Sequence, residues 1–101
     1  MPKYLCKFDE FDKGMGFHKM SDYFSDTPYD GQSEIVEYLK NGKKTYAAPG
    51  IEKDVFTGER IPVEMCGMTD GEYSWCGSLY YYVEKYNLRL PDDFSRKVLS
   101  K

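Results

Sequence analysis

The sequence predicts an α+β fold, a small antiparallel meander sheet with helices packed on one face, and three observations carry that expectation. The apolar pattern has a period near 3.6 over 33–40, a period of two over 60–66 and 72–76, and a period near 3.6 again after Gly77. Asp70-Gly71 stands between the last two period-two runs as a reversal signal. Helix, strands and then helices in that order set the strands side by side and leave the helices to cover them.

The first element is the least regular. Tyr4, Cys6 and Phe8 alternate with Leu5 and Lys7 and suit a short strand, after which Gly14 and Gly16 interrupt any regular element. Residues 20–29 read as loop, because aromatics alternate with turn formers and Pro28 disfavours helix at Thr27. A first helix is expected over 33–40. Ile35, Val36, Tyr38 and Leu39 share one arc, Asp30 and Ser33 offer N-cap side chains, and Asn41-Gly42 is a stop. Residues 44–48 then read as a strand closed by Pro49-Gly50.

Asp54 to Glu59 frames a turn at Thr57-Gly58. Ile61, Val63 and Met65 next alternate with Pro62, Glu64 and Cys66, which gives 60–66 one buried face. Pro62 cannot donate to a ladder, so it belongs at an edge or faces solvent. Beyond Gly77, Leu79, Tyr82, Val83 and Tyr86 gather on one arc, with Tyr81, Glu84 and Lys85 opposite. Ser78 is placed to cap this helix and Asn87 to end it in the left-handed conformation. Pro91, Asp92 and Asp93 open a last helix, with Arg96, Lys97 and Lys101 toward its negative end and Phe94 and Val98 facing inward. Trp75, Leu79, Tyr82, Val83 and Phe94 are the expected centre of the core, and residues 1–101 are read as a single domain.

Composition narrows the function. A net charge of -3 with no basic run argues against a nucleic-acid binder working by broad phosphate neutralisation. No run approaches the roughly 18 apolar residues of a membrane span, and Lys3, Lys7, Asp9 and Glu10 stand where a secretory signal needs an apolar block. The expectation is a cytoplasmic protein that engages neither nucleic acid nor membrane. Cys6, Cys66 and Cys76 lack a C-x-x-C spacing and read as reduced thiols, a Cys66–Cys76 bridge across the hairpin being the alternative.

No side chain presents itself for catalysis. His18 is the one histidine and has no local signature pairing it with a cysteine. Asp22, Asp26 and Asp30 fall four apart but straddle Pro28 and miss the calcium-loop pattern, and the Gly58 and Gly71 turns lack the following helix of a phosphate loop. No catalytic, metal or cofactor-binding residue is therefore assigned, and no cofactor is expected. One segment stands out. From Met20 to Tyr38 the charges are Asp22, Asp26, Asp30, Glu34 and Glu37, all acidic, interleaved with Tyr23, Phe24, Tyr29 and Tyr38. Such a surface suits a basic protein partner, since charge speeds encounter and aromatics anchor contact. The alternative is a solvated loop whose aromatics cap the core. Asp22, Tyr23, Asp26, Asp30, Glu34 and Glu37 are thus candidate partner-binding residues. Tyr81 joins them because it lies opposite the helix's apolar arc.

Thr69-Asp70-Gly71, Trp75, Leu79, Tyr81-Tyr82-Val83, Tyr86, Leu90-Pro91 and Phe94, with Asp54 to Glu59 upstream, form a series over residues 50–95. It resembles small bacterial proteins that carry T-D-G-x-aromatic-x-W, L-x-Y-Y-V and L-P-x-x-F in that order, some of them similar to immunity proteins of toxin systems. The resemblance implies a non-catalytic protein that neutralises a cognate toxin, whose partner would be a basic toxin domain. The competing expectation is a small enzyme or ligand-binding domain built around a tyrosine-lined pocket.

Overall fold

The computed structural model describes residues 3–11 and 14–100. Its four strands are β1 (Lys3–Tyr4), β2 (Lys43–Lys53), β3 (Arg60–Thr69) and β4 (Tyr73–Cys76), in the sheet order β1-β4-β3-β2. β2, β3 and β4 form the antiparallel meander, and β1 adds to its far edge parallel to β4, with Lys3 opposite Tyr73 and Tyr4 opposite Ser74. Three helices, α1 (Gln32–Lys40), α2 (Leu79–Tyr86) and α3 (Asp92–Leu99), complete the α+β architecture. Residues 20–29, expected as loop, include a single-turn 3-10 helix at Met20–Tyr23 that sinks Met20 into the core.

The core lies between the helices and one face of the sheet. Trp75, Leu79, Tyr82, Val83 and Phe94 are all buried in it. The Trp75 indole N–H donates to the Leu39 carbonyl at 3.2 Å and its ring meets Phe94 edge-on, so α1 and α3 are both seated on β4. α2 ends at Asn87 in the left-handed conformation, φ 54° and ψ 43°. Lys101 lies outside the described residues.

Several local expectations are corrected. Neither Asp30 nor Ser33 caps α1: Gly31 occupies the cap with φ 84°, and the Gln32 side chain accepts the Tyr29 N–H while donating to the Val83 carbonyl and Asn87. A side chain that ties α1 to the end of α2 replaces a purely local cap. Ser78 makes no cap bond either and turns toward the Cys76 sulfur. In the N-terminal segment Leu5 and Cys6 are both buried while Tyr4 is exposed, so the alternation of a strand stops after Tyr4.

Pro49-Gly50 does not close β2, which runs on to Lys53 through an irregular ladder. Pairing steps from Ala48 opposite Met65 to Ile51 opposite Glu64 and then to Lys53 opposite Arg60, so first β2 and then β3 carries extra residues. The expected phase of β3 fails across that irregularity: Ile61 points inward, but Met65 is exposed while Cys66 and Met68 are buried. Pro62 is exposed, and β4 reaches only as far as Gly67, so the stretch of β3 that contains the proline has no β4 neighbour. α2 supports this overhang from below, where the Tyr82 hydroxyl contacts the Val55 N–H at 3.1 Å and the Lys53 carbonyl at 3.3 Å.

Candidate functional site

The two aspartates that open the turns of the sheet are both anchors. In the 54–59 turn, Asp54 Oδ1 accepts the backbone N–H groups of Phe56 (2.7 Å) and Thr57 (3.2 Å), and Gly58 takes φ 77° to complete the reversal. Its other oxygen, Oδ2, accepts Tyr86 at 2.6 Å, Tyr81 at 2.8 Å and the Lys85 ammonium at 3.4 Å. Burial pushes the Asp54 carboxyl up, but hydrogen bonds from Tyr86, the Phe56 N–H, Tyr81 and the Thr57 N–H outweigh it and bring it down to about 2. The Tyr86 phenol moves the other way, to about 12, through burial and its bond to Asp54. With five donors converging on its two oxygens, Asp54 has no free lone pair to offer a substrate; the arrangement fastens the turn to α2.

Asp70 acts likewise on the other helices. Its Oδ1 accepts the Glu72 and Tyr73 N–H groups, and its Oδ2 accepts the Tyr38 hydroxyl of α1 at 2.6 Å and the Lys97 ammonium of α3 at 2.9 Å. Burial opposes ionisation here too, but those four bonds hold the carboxyl well below its usual range. The Asp-Gly reversal is therefore also the point where α1 and α3 are tied to the sheet.

Tyr81, a partner-binding candidate from the sequence, also has a structural task. It is half-buried, and its hydroxyl is engaged by Asp54 and by Lys85 at 2.9 Å. The wheel located it opposite the apolar arc, but nothing in the sequence indicated that the 54–59 turn would reach that side of α2. An i, i+4 spacing to Lys85 was the one local hint.

The acidic candidates divide. Asp30, Glu34 and Glu37 line one open depression of about 470 Å³ at the seam of α1 and α2, with Tyr29 at its margin, and Glu84 of α2 adds a fourth carboxylate. Among the described residues, no lysine or arginine borders it. Glu84 was absent from the sequence assignment because the pairing of α1 with α2 cannot be read from either helix alone. Asp22 and Asp26 are exposed on the chain leading to α1 and line neither this depression nor the next. Tyr23 stands apart. It lines a cleft of about 490 Å³ between the start of the chain and the link into α3, with Tyr4, Phe8 and Leu90 as apolar wall, Lys7 and Arg89 as cations, and His18 and the Asp92 carboxylate also at its border.

Among the described residues, no three of His, Cys, Asp and Glu converge in a way that would hold a metal ion, and no helix is long and apolar enough to cross a membrane. Compared with protein-family models, curated proteins and solved structures, the chain matches none of them.

Proposed function

We propose that this chain is a non-catalytic protein-binding domain that holds a basic partner on the α1–α2 seam, as an immunity protein holds the toxin domain it neutralises. One observation carries the reading: Asp30, Glu34, Glu37 and Glu84 share a single open depression, and among the described residues no lysine or arginine borders it. Four carboxylates facing one concavity raise the local negative potential, which favours encounter with a cationic groove of the kind nucleic-acid-cleaving toxins present. Tyr29 supplies an aromatic contact at the margin. The resemblance of residues 50–95 to small bacterial proteins supports the same reading, and so does the engagement of the Asp54 and Asp70 carboxylates in structural bonds. On this reading the protein works in the cytoplasm, beside the toxin it restrains.

The test is affinity capture with the tagged chain, run beside a Glu34→Lys, Glu37→Lys double variant, followed by association kinetics of the captured protein at two salt concentrations. A basic polypeptide should associate at least about tenfold more slowly with the variant, and the salt dependence should flatten. An unaltered on-rate would remove the acidic segment from the interface. A second reading rests on the cleft around Tyr4 and Tyr23, where aromatic walls and the Lys7 and Arg89 cations, opposed by the single Asp92 carboxylate, suit an anionic small molecule. It would be favoured if Tyr23→Ala abolished a ligand-induced thermal shift while capture of the protein partner was unaffected.

A further inference from the structure

We infer that Cys6 and Cys76 form an oxidation site, at which a hydroperoxide converts two facing thiols into an intramolecular disulfide that fastens the chain after β1 to the end of β4. The docking of the N-terminal segment on β4 creates the pair. Lys3 lies opposite Tyr73 and Tyr4 opposite Ser74, and past the end of β1 the Leu5 N–H still donates to the Ser74 carbonyl, which keeps the departing chain against β4 and sets Cys6 beside Cys76. A disulfide requires that close an approach of the two residues. The two sulfurs stand 2.7 Å apart as free thiols, and the Cys76 N–H also points at the Cys6 sulfur at 3.1 Å.

The third cysteine is excluded by the same geometry. Cys76 pairs with Gly67, so its side chain shares the face of Gly67, whereas Cys66 next to it points to the opposite face, into the core beside the Met68 sulfur at 3.9 Å. The Cys66–Cys76 bridge considered from the sequence therefore fails on facing, although the two residues flank the expected hairpin.

The two thiols are unequal. Cys6 is buried, which pushes its thiol up, while Cys76 is half-buried and receives hydrogen bonds from Cys6 and from Ser78 at 3.6 Å, which lower it. Cys76 is then the nucleophile and Cys6 the resolving thiol. The Cys76 thiolate attacks one peroxide oxygen; the O–O bond breaks, hydroxide leaves, and Cys76 becomes a sulfenic acid. Cys6 then attacks the Cys76 sulfur, the S–O bond breaks, and the hydroxyl departs as water with the Cys6 proton. Two thiols are oxidised, one peroxide is reduced, and a link spanning 70 positions of sequence is closed.

The experiment exposes the folded full-length chain to hydrogen peroxide, blocks remaining thiols with N-ethylmaleimide, and maps the products by mass spectrometry. Trypsin with a glutamyl endopeptidase separates Cys66 from Cys76 by cutting after Glu72. Alkylatable thiols should fall from three per chain to one, that one being Cys66, with the fragment holding Cys6 linked to the fragment holding Cys76. The Cys66→Ala chain should oxidise in the same way, and Cys6→Ser should leave Cys76 as a sulfenic acid that dimedone traps. A bridge that includes Cys66, a bridge between two chains, or three unreacted thiols under peroxide that oxidises the urea-unfolded chain would each overturn the inference.

Discussion

The Tyr86 hydroxyl of α2 donates to Asp54 Oδ2 at 2.6 Å, joining the last turn of a helix to a reversal that precedes it by 32 residues. Around that bond Phe24 stacks on Tyr86 with ring centroids 4.7 Å apart, and Phe56 meets the same ring edge-on at 5.2 Å. The polar bond thus lies beside two aromatic rings, where loss of the carboxylate would leave the Tyr86 phenol and the Phe56 and Thr57 N–H groups without their acceptor. Asp54→Ala should cost about 3 kcal/mol in urea unfolding, since it removes a buried, charge-assisted acceptor.

The same carboxylate sets a pH dependence. Its folded value of about 2 lies below the 3.8 of an ordinary aspartate, so the stability it contributes is complete above about pH 4 and is lost as pH falls through the folded value. Asp70, held well below its usual range, extends that loss to lower pH. Acid unfolding of the Asp54→Asn chain should therefore begin from a lower plateau and be shallower between pH 4 and pH 2 than that of the unaltered chain. Parallel curves in that window would show that Asp54 does not contribute.

Tyr81→Phe separates structure from recognition. It removes one donor from a carboxylate that keeps four others, so the expected cost is about 1 kcal/mol, with no change in the on-rate for a partner held at the α1–α2 seam. A slowed association at unchanged stability would place Tyr81 in the interface.

The period of the apolar residues was enough to phase α2 and to place Asn87 at its end, because both depend on neighbours within one turn of helix. The aspartates at 54 and 70 were legible as turn residues for the same reason. Their second task was not, since the donors that reach them come from Tyr38, Tyr81, Tyr86 and Lys97, on helices whose docking depends on the assembled sheet. The phase of β3 was lost at a ladder irregularity that alternation cannot signal. The acidic surface was visible as a run of charge, but its concave part excludes Asp22 and Asp26 and includes Glu84, a regrouping set by the α1–α2 seam.

The core makes a direct comparison of side-chain volume. Val83 and Trp75 are both buried, and Trp75 also spends its indole N–H on the Leu39 carbonyl. Val83→Ala should cost about 2 kcal/mol, and Trp75→Ala about 4 kcal/mol with the Leu39 carbonyl left unpaired. Chemical unfolding measures both, and equal costs would mean that the Trp75 site collapses fully.

Two glycines should respond to alanine in different ways. A Cβ at Gly42 would stand 2.6 Å from the Trp75 ring, with the Thr69 carbonyl at 3.4 Å behind it. That ring is buried and pinned by its bond to Leu39, so it cannot swing aside, and Gly42→Ala should cost more than about 2 kcal/mol through overpacking. A Cβ at Gly67 would meet the Tyr46 ring and the Thr45 hydroxyl, but Tyr46 is 63% exposed and Thr45 is exposed as well. Both side chains can turn into solvent, and Gly67 needs no left-handed backbone. Gly67→Ala should therefore stay within about 1 kcal/mol of the unaltered chain, the smaller backbone entropy of alanine offsetting part of the rearrangement. Urea unfolding with matched slopes compares the pair. A Gly67 variant as destabilised as the Gly42 variant would mean that Tyr46 is held in place over β3 rather than free to move.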